Sequence, residues 1–174
     1  MNHVLERNSD AMMRRTRRRP VASNRVTPAR ATVFGLGLNC VAFMIFVVGA
    51  NPLSAFLSIA ASAFYVIIYT LWLKRSTHQN IVIGGAAGAL PPVIGWAAVT
   101  GSVDLNALYL FSIIFFWTPP HFWALALLIK SDYALAKIPM LPVVRGEATT
   151  IRSILLHSIL LVTISLLFAT LGTV

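Results

Sequence analysis

The sequence contains little charge, few acidic residues and one cysteine, and these scarcities exclude several classes of protein. Only 11% of its 174 residues are charged, five are acidic and 57% are hydrophobic, with a mean hydropathy of +0.79. Soluble domains carry about 25% charged residues, so a soluble globular protein is excluded. The single cysteine, Cys40, excludes an intrachain disulfide and a metal cluster built from cysteines.

Long apolar stretches are present where charge is lacking. Five of them cover residues 31–50, 53–73, 81–100, 105–129 and 153–171. Each has roughly the 20 residues that a helix needs to cross a bilayer, and none alternates as a membrane β-strand would. The sequence therefore predicts an all-α membrane protein, a bundle of five full transmembrane helices preceded by the end of another helix. Residues 1–174 would form a single membrane domain.

The net charge of +9 is confined to one side of the predicted bundle. All 14 basic residues fall on that side, and the opposite loops, 51–52 and 101–104, contain neither lysine nor arginine. By the positive-inside rule the basic side is cytoplasmic. We therefore expect a multi-pass protein of the inner cell membrane with basic cytoplasmic loops, whose arginines contact membrane lipid and not nucleic acid.

Residues 1–30 combine an acidic motif with a basic cytoplasmic loop. Asn2, Glu6 and Asp10 recur every four residues, which would place them on one helical face. Mg²⁺ commonly binds one or two carboxylates together with substrate phosphates, so these residues are candidates for a metal and diphosphate site. The alternative is a solvated helix end in which Asp10 pairs with Arg14. The arginines that follow would then mostly set topology and bind anionic lipid.

Further candidates come from the loops on the basic side and from one span. Asp132 lies in segment 130–150, whose apolar residues predict a cytoplasmic loop or lid over a cavity. Its alternative is an ordinary loop acid beside a lysine. Lys74 and Arg75 reach the same surface from another loop. His121 lies within an apolar span, where ionisable groups are often functional, although a neutral, hydrogen-bonded histidine is the alternative.

Several stretches of the sequence form a specific combination that covers nearly the whole chain. They are Asn2-x3-Glu6-Arg7 with Asp10, Arg15-Thr16 and Arg19-Pro20, Tyr69-Thr70-x-Trp72-Leu73-Lys74-Arg75, Gln79-Asn80-Ile81-Val82-Ile83-Gly84-Gly85, Pro91-Pro92-x2-Gly95-Trp96, Thr118-Pro119-Pro120-His121-Phe122-Trp123, and Asp132-Tyr133 with residues 138–144. This combination resembles the haem-farnesylating branch of the UbiA-type intramembrane prenyltransferases.

The resemblance implies a reaction, a cofactor and a role for each candidate residue. Farnesyl diphosphate would donate its farnesyl group to a vinyl group of haem B, giving haem O, with Mg²⁺ as cofactor. The implied catalytic residues are Asn2, Glu6, Asp10 and Asp132, of which the last three would be metal ligands. The implied diphosphate-binding residues are Arg15, Arg19, Lys74 and Arg75, and His121 would bind haem. The resemblance also implies contact with haem A synthase or with the assembly of cytochrome oxidase.

The resemblance also bears on the extent of the chain. Members of this family have more spans than five, so the chain is expected to be truncated at both ends. Two alternatives to an active enzyme therefore stay open. One is an inactive fragment that only binds haem or assembles with other membrane proteins. The other is a transporter fragment, whose polar groups would be expected nearer the bilayer midplane.

Overall fold

The computed structural model describes residues 1–170, and these residues form helices and connecting turns without any strand. In chain order the helices are α1 Asn2–Leu5, α2 Arg7–Met12, α3 Pro28–Gly49, α4 Pro52–Ser76, α5 Asn80–Thr100, α6 Leu105–Leu128, α7 Lys130–Leu135, α8 Leu141–Val144 and α9 Gly146–Thr170. Helices α3, α4, α5, α6 and α9 are long and apolar enough to cross a membrane. The predicted all-α membrane protein with five full spans is confirmed.

The five long helices pack in chain order, each against the next, so that α3–α4–α5–α6–α9 form a row. Alanines allow close approach along the row, and Ala55, Ala89, Ala97 and Ala107 are fully buried. Helices α5 and α6 occupy its centre, whereas α3 and α9 expose apolar side chains at its two ends. These exposed faces suit lipid, which solvates apolar side chains as the protein interior does.

Two helices extend past their predicted spans into charged sequence. The last span was predicted to begin at residue 153, but α9 begins at Gly146, while residue 171 lies outside the described residues. Helix α4 likewise continues through Lys74 and Arg75 to Ser76. Charged residues do not end a helix once it has left the bilayer, because its backbone hydrogen bonds remain internal. The predicted N-terminal helix end is divided into the short helices α1 and α2.

Side chains hold together the two short connections opposite the basic side. Asn51 accepts a hydrogen bond from the backbone N–H of Ser54 at 2.9 Å, which caps α4, and its amide donates to the Ala97 carbonyl at 2.7 Å. In the other connection, the indole N–H of Trp96 donates to the Asp104 carboxylate at 3.1 Å. Both connections are thereby tied to the C-terminal turns of α5.

Replacing Asn51 with alanine is expected to destabilise the protein by about 1–2 kcal/mol, since a helix cap and a bond between helices are lost together. The measurement is the unfolding midpoint in detergent micelles. Thr27→Ala is the matched control, because Thr27 also caps a helix that begins with proline, but its hydroxyl accepts only from the Arg30 N–H, at 3.4 Å. Equal losses in both variants would contradict the role given to the Ala97 bond.

The segment that follows α6 folds back onto the basic end of the bundle. Its residues join α5, α6 and Met13 in one buried cluster, made of Met13, Ile81, Trp123, Ala126, Tyr133, Ala136, Ile138, Met140 and Leu141. Met140 is only 1% exposed. This packing accounts for the apolar composition of the connection and places Tyr133 in the lining of a cavity.

Candidate active site

A cavity of about 540 Å³ lies where the N-terminal segment, α4, α5, α6 and α7 meet. Its hydrogen-bonding and charged lining consists of Asn2, Glu6, Arg15, Arg19, Lys74, Tyr65, Tyr69 and Tyr133, with Ser62 and Thr118. The remaining lining is small or apolar and consists of Ala61, Ile81, Gly84, Gly85, Ala87, Gly88 and Phe122. A cavity with this mixed lining suits a molecule that has a highly charged group and an apolar tail.

A buried ion pair stands in the wall of this cavity. The carboxylate of Glu6 is in direct contact with the ammonium group of Lys74, and Glu6 is only 4% exposed. The Asn2 amide donates to the Glu6 carboxylate at 3.0 Å and to the Tyr65 hydroxyl at 2.9 Å. The spacing of four residues thus brings Asn2 and Glu6 together, although Glu6 lies between α1 and α2.

Asp10 is the most buried acid at this end of the protein, and its partner differs from the alternative drawn from the sequence. Both of its carboxylate oxygens accept hydrogen bonds from Nη1 of Arg19 at 3.0 Å. The expected alternative pair with Arg14 is wrong, because the turns after Met13 bring Arg19 onto Asp10 while Arg14 is exposed. The pair holds the Arg19 side chain at the cavity and keeps Asp10 outside its lining.

A π-helical segment, Phe64–Leu73, supplies an aromatic wall from within α4. The rings of Tyr65 and Tyr69 stack with centroids 5.5 Å apart, and the Thr70 hydroxyl donates to the Tyr65 carbonyl at 2.9 Å. The Lys74 ammonium group lies 5.9 Å from the Tyr69 ring centroid, within the range of a cation–π contact. π-Helical turns are often found at functional sites, and this one directs two phenols at the cavity.

Two consecutive glycines of α5 lie close to the neighbouring helices, Gly84 to the aromatic wall of α4 and Gly85 to α6. A Cβ atom at Gly84 would lie 2.2 Å from Cδ2 of Tyr69, so only glycine leaves space for the ring. A Cβ atom at Gly85 would lie 3.2 Å from Cγ2 of Thr118, which is a tighter contact than usual. The glycine pair therefore sets how closely α4 and α6 approach α5.

Tyr133 carries a third phenol to the cavity from α7. Burial raises the pKa of Tyr133 above its ordinary value, while the positive charge of Arg15 partly opposes the shift. The phenol therefore stays protonated at neutral pH and is available as a hydrogen-bond donor.

Besides Asp10, three of the predicted site residues lie apart from the cavity lining. Asp132 is buried, at 8% exposure, next to Tyr133 in the chain. The Arg75 guanidinium donates to the Leu5 carbonyl at 2.9 Å and so holds α1 against α4. His121 is exposed on α6, where its ring stacks on Trp117 with centroids 4.3 Å apart. The predicted residues that do line the cavity are Asn2, Glu6, Arg15, Arg19 and Lys74.

The donor set of the cavity can be tested against the needs of Mg²⁺. Within residues 1–170, no three His, Cys, Asp or Glu side chains lie close enough to share one ion. Mg²⁺ usually keeps several waters and is bound by one or two carboxylates together with substrate phosphates. Glu6, with Asn2 beside it, fits that kind of site, whereas an all-protein cage does not fit the described residues.

Sequence reasoning did not single out the three tyrosines as site residues. Tyr69 and Tyr133 stand beside Thr70 and Asp132 in stretches that carry the family resemblance, which was a usable signal. Tyr65 has no such neighbour. Its only signal is its position four residues before Tyr69, which places two phenols on adjacent turns of one membrane span.

Known proteins resemble this chain along its whole length. The profile of the UbiA prenyltransferase family matches residues 1–174. The chain belongs to the UbiA prenyltransferase family. This UbiA chain is 51% identical over 172 residues to the Protoheme IX farnesyltransferase of Gloeobacter violaceus, covering 99% of the chain and 56% of that relative.

Other relatives give the same pattern. The UbiA chain is 52% identical over 174 residues to the Protoheme IX farnesyltransferase of Symbiobacterium thermophilum, covering 100% of the chain and 58% of the relative. It is 56% identical over 167 residues to Protoheme IX farnesyltransferase 1 of Mesorhizobium japonicum, covering 96% of the chain and 54% of that relative. The chain thus spans about half the length of the curated relatives it matches. No solved structure matches it.

Proposed function

We propose that the protein transfers a farnesyl group from farnesyl diphosphate to a vinyl group of haem B, giving haem O. The names of the relatives support this reaction. The observation that carries the proposal is the cavity, which combines three cationic side chains with stacked tyrosines and a lining of small residues. A diphosphate suits the cationic part, and an isoprenoid chain suits the small and aromatic part.

The diphosphate is proposed to bind Arg15, Arg19 and Lys74. Arg15 lines the cavity and makes no ion pair within residues 1–170, so its guanidinium is available for two phosphate oxygens. Arg19 and Lys74 are each held by a buried carboxylate, which fixes them at the cavity before substrate arrives. The proposed contribution of Arg75 is indirect, through its hold on the Leu5 carbonyl of α1.

In the proposed reaction the bond between farnesyl C1 and the diphosphate oxygen breaks, and its electron pair leaves with the diphosphate. The terminal carbon of the haem vinyl group forms the new bond to farnesyl C1. The inner vinyl carbon, left positive, takes up water and a proton is released, which gives a hydroxyethylfarnesyl side chain. Arg15, Arg19 and Lys74 stabilise the departing charge, and the faces of Tyr65 and Tyr69 stabilise the allylic cation.

Mg²⁺ is the proposed cofactor, with Glu6 and Asp132 as its carboxylate ligands, Asn2 beside Glu6, and substrate phosphates and waters completing the set. When bound, it would neutralise the charge that develops on the diphosphate. Glu6 is already at the cavity, whereas Asp10, which the resemblance implied as a third ligand, is paired with Arg19 outside the lining, and its proposed role is to hold that guanidinium in place. Asp132 is buried and adjacent in the chain to the lining residue Tyr133, from which it would reach the same region.

The haem acceptor, the cellular location and the partners complete the proposal. His121 is proposed to contact haem B, since its ring and that of Trp117 form an exposed stacked surface on α6. The confinement of the basic residues to one side supports an inner-membrane location with cytoplasmic basic loops. Contact with haem A synthase or with cytochrome oxidase assembly would follow if haem O is passed on directly.

The direct test measures haem O formed from farnesyl diphosphate and haem B in membranes that contain the protein. Asp10→Ala and Asp132→Ala are each expected to lower the rate by about 100-fold or more, since Asp10 holds the Arg19 guanidinium at the cavity and Asp132 is a proposed ligand of the Mg²⁺ that neutralises the diphosphate. Glu147→Gln is the matched control, because this acid lies on the same side, is largely exposed and does not line the cavity. We expect it to keep the rate of the unmodified protein.

Two results would count against this proposal. Undiminished turnover in both aspartate variants would show that the assigned roles are wrong. An unmodified protein that binds haem but forms no haem O would favour the alternative of a haem-binding membrane protein without catalysis.

A further inference from the structure

A second cavity, of about 440 Å³, lies on the basic side of the bundle. Its polar lining consists of His78, Gln79, Arg145, Thr149, Ser153 and His157. Three further residues, Val82, Trp123 and Leu141, complete the lining. None of these lining residues is assigned a role in the reaction proposed above.

Helices α5 and α6 separate the two cavities. In α5, Ile81 lines the first cavity and Val82 the second, and in α6 the consecutive residues Phe122 and Trp123 are divided in the same way. The two linings share no residue. A molecule in the second cavity would therefore leave the candidate active site free.

The charge of the second cavity favours an anion. Its lining includes Arg145 and contains no aspartate or glutamate, and Arg145 makes no ion pair within the part of the chain that the structure describes. The nearest acid in sequence, Glu147, is engaged by Lys130 at 3.1 Å. Helix α9 begins at Gly146, and Thr149 of its first turn lines the cavity, so the positive end of a 25-residue helix adds to the field.

A buried donor in the same cavity has no acceptor. Trp123 is 3% exposed, yet its indole N–H makes no hydrogen bond to any described residue. Buried N–H groups almost always have a partner, and an unpaired one calls for an explanation. The Trp123 ring packs edge to face against the His157 ring of the same lining, with centroids 5.0 Å apart, so a rotation of the His157 ring would let an oxygen atom bound in the cavity accept from this group.

We propose that the second cavity binds the phosphate group of an anionic membrane lipid. Arg145 and the first turn of α9 would bind phosphate oxygens, and the indole N–H of Trp123 would donate to a headgroup oxygen. On the face of α9 that lines the cavity, exposed apolar side chains continue toward the bilayer, among them Leu156 and Leu160, and acyl chains would run along them. The position at the basic end of the bundle matches the depth of lipid headgroups.

The test uses the full chain in zwitterionic detergent micelles and measures its unfolding midpoint. Dioleoylphosphatidylglycerol is expected to raise the midpoint by about 3 °C or more at saturation, whereas dioleoylphosphatidylcholine and inorganic phosphate leave it unchanged. Arg145→Gln and Trp123→Phe are expected to weaken the lipid response at least about tenfold. Arg152→Gln is the matched control, since Arg152 is an exposed arginine of the same helix that does not line the cavity.

Several outcomes would overturn the lipid assignment. One is an equal rise of the unfolding midpoint with both lipids. Another is an equal loss of the lipid response in Arg145→Gln and Arg152→Gln. A third is a rise of the midpoint produced by inorganic phosphate alone. A shift produced only by haem B, through its carboxylates, would assign the cavity to the acceptor instead. Because the measurement needs no turnover, its result is independent of whether haem O is formed.

Discussion

Glu6→Gln is expected to destabilise the protein by about 3–5 kcal/mol and to lower haem O formation by about 100-fold or more. The loss of stability follows because Glu6 and Lys74 are a buried ion pair, and the variant leaves the Lys74 ammonium without its counter-charge. The loss of activity follows because Lys74 is proposed to bind diphosphate from the position that Glu6 sets. Unfolding midpoints in micelles and turnover in membranes measure the two effects separately.

The double variant Glu6→Gln with Lys74→Met separates the structural role of the pair from its catalytic role. Replacing both members of a buried pair by neutral groups is often close to neutral for stability. The double variant is therefore expected to recover most of the lost stability while activity stays low. Recovery of both properties together would show that the pair only holds the fold.

The control for the stability effect is the exposed ion pair between Lys130 and Glu147, whose N···O distance is 3.1 Å. Lys130→Met is expected to change stability by about 1 kcal/mol or less, since solvent screens exposed pairs. A loss of stability as large as that of Glu6→Gln would mean that burial does not decide how much an ion pair contributes to the stability of this protein.

Gly84→Ala is expected to have the second large effect, by displacing the aromatic wall of the candidate active site. The added Cβ atom would meet the Tyr69 ring at 2.2 Å, so the ring or α5 must move. Overpacking of this kind costs about 1–3 kcal/mol. Tyr69 stacks on Tyr65, whose hydroxyl accepts from Asn2, so the displacement is expected to lower turnover by more than the loss of folded protein explains.

A glycine series on α5 tests this steric explanation. Gly84→Ala is expected to destabilise the protein most. Gly85→Ala is expected to destabilise it less, since its added Cβ atom would lie 3.2 Å from the nearest side-chain atom, and Gly95→Ala least, since its Cβ atom would meet nothing within 4 Å. Adding Tyr69→Leu to Gly84→Ala is expected to relieve the clash and to restore stability without restoring turnover. Equal effects at Gly84 and Gly95 would indicate that helix propensity, and not the clash, is responsible.

The candidate site was predictable from the sequence only in part, and the individual residues show why. The spacing of Asn2 and Glu6 was enough to predict that their side chains meet, because residues four apart lie on successive turns of a helical segment. The same reasoning led to Arg14 as the alternative partner of Asp10, where the structure has Arg19. The turns between α2 and α3 decide that partner, and their path has no periodic signal.

The sequence by itself determined the class of the protein, its five spans and its family. Hydropathy and charge act over single segments, so a helix that can cross a bilayer is recognisable without its neighbours. Only the tertiary structure decided that Glu6 meets Lys74, that Gly84 lies under Tyr69, and that α5 and α6 separate two cavities. These contacts join residues far apart in the chain, and they depend on the rotation and depth of packed helices, which no local pattern specifies.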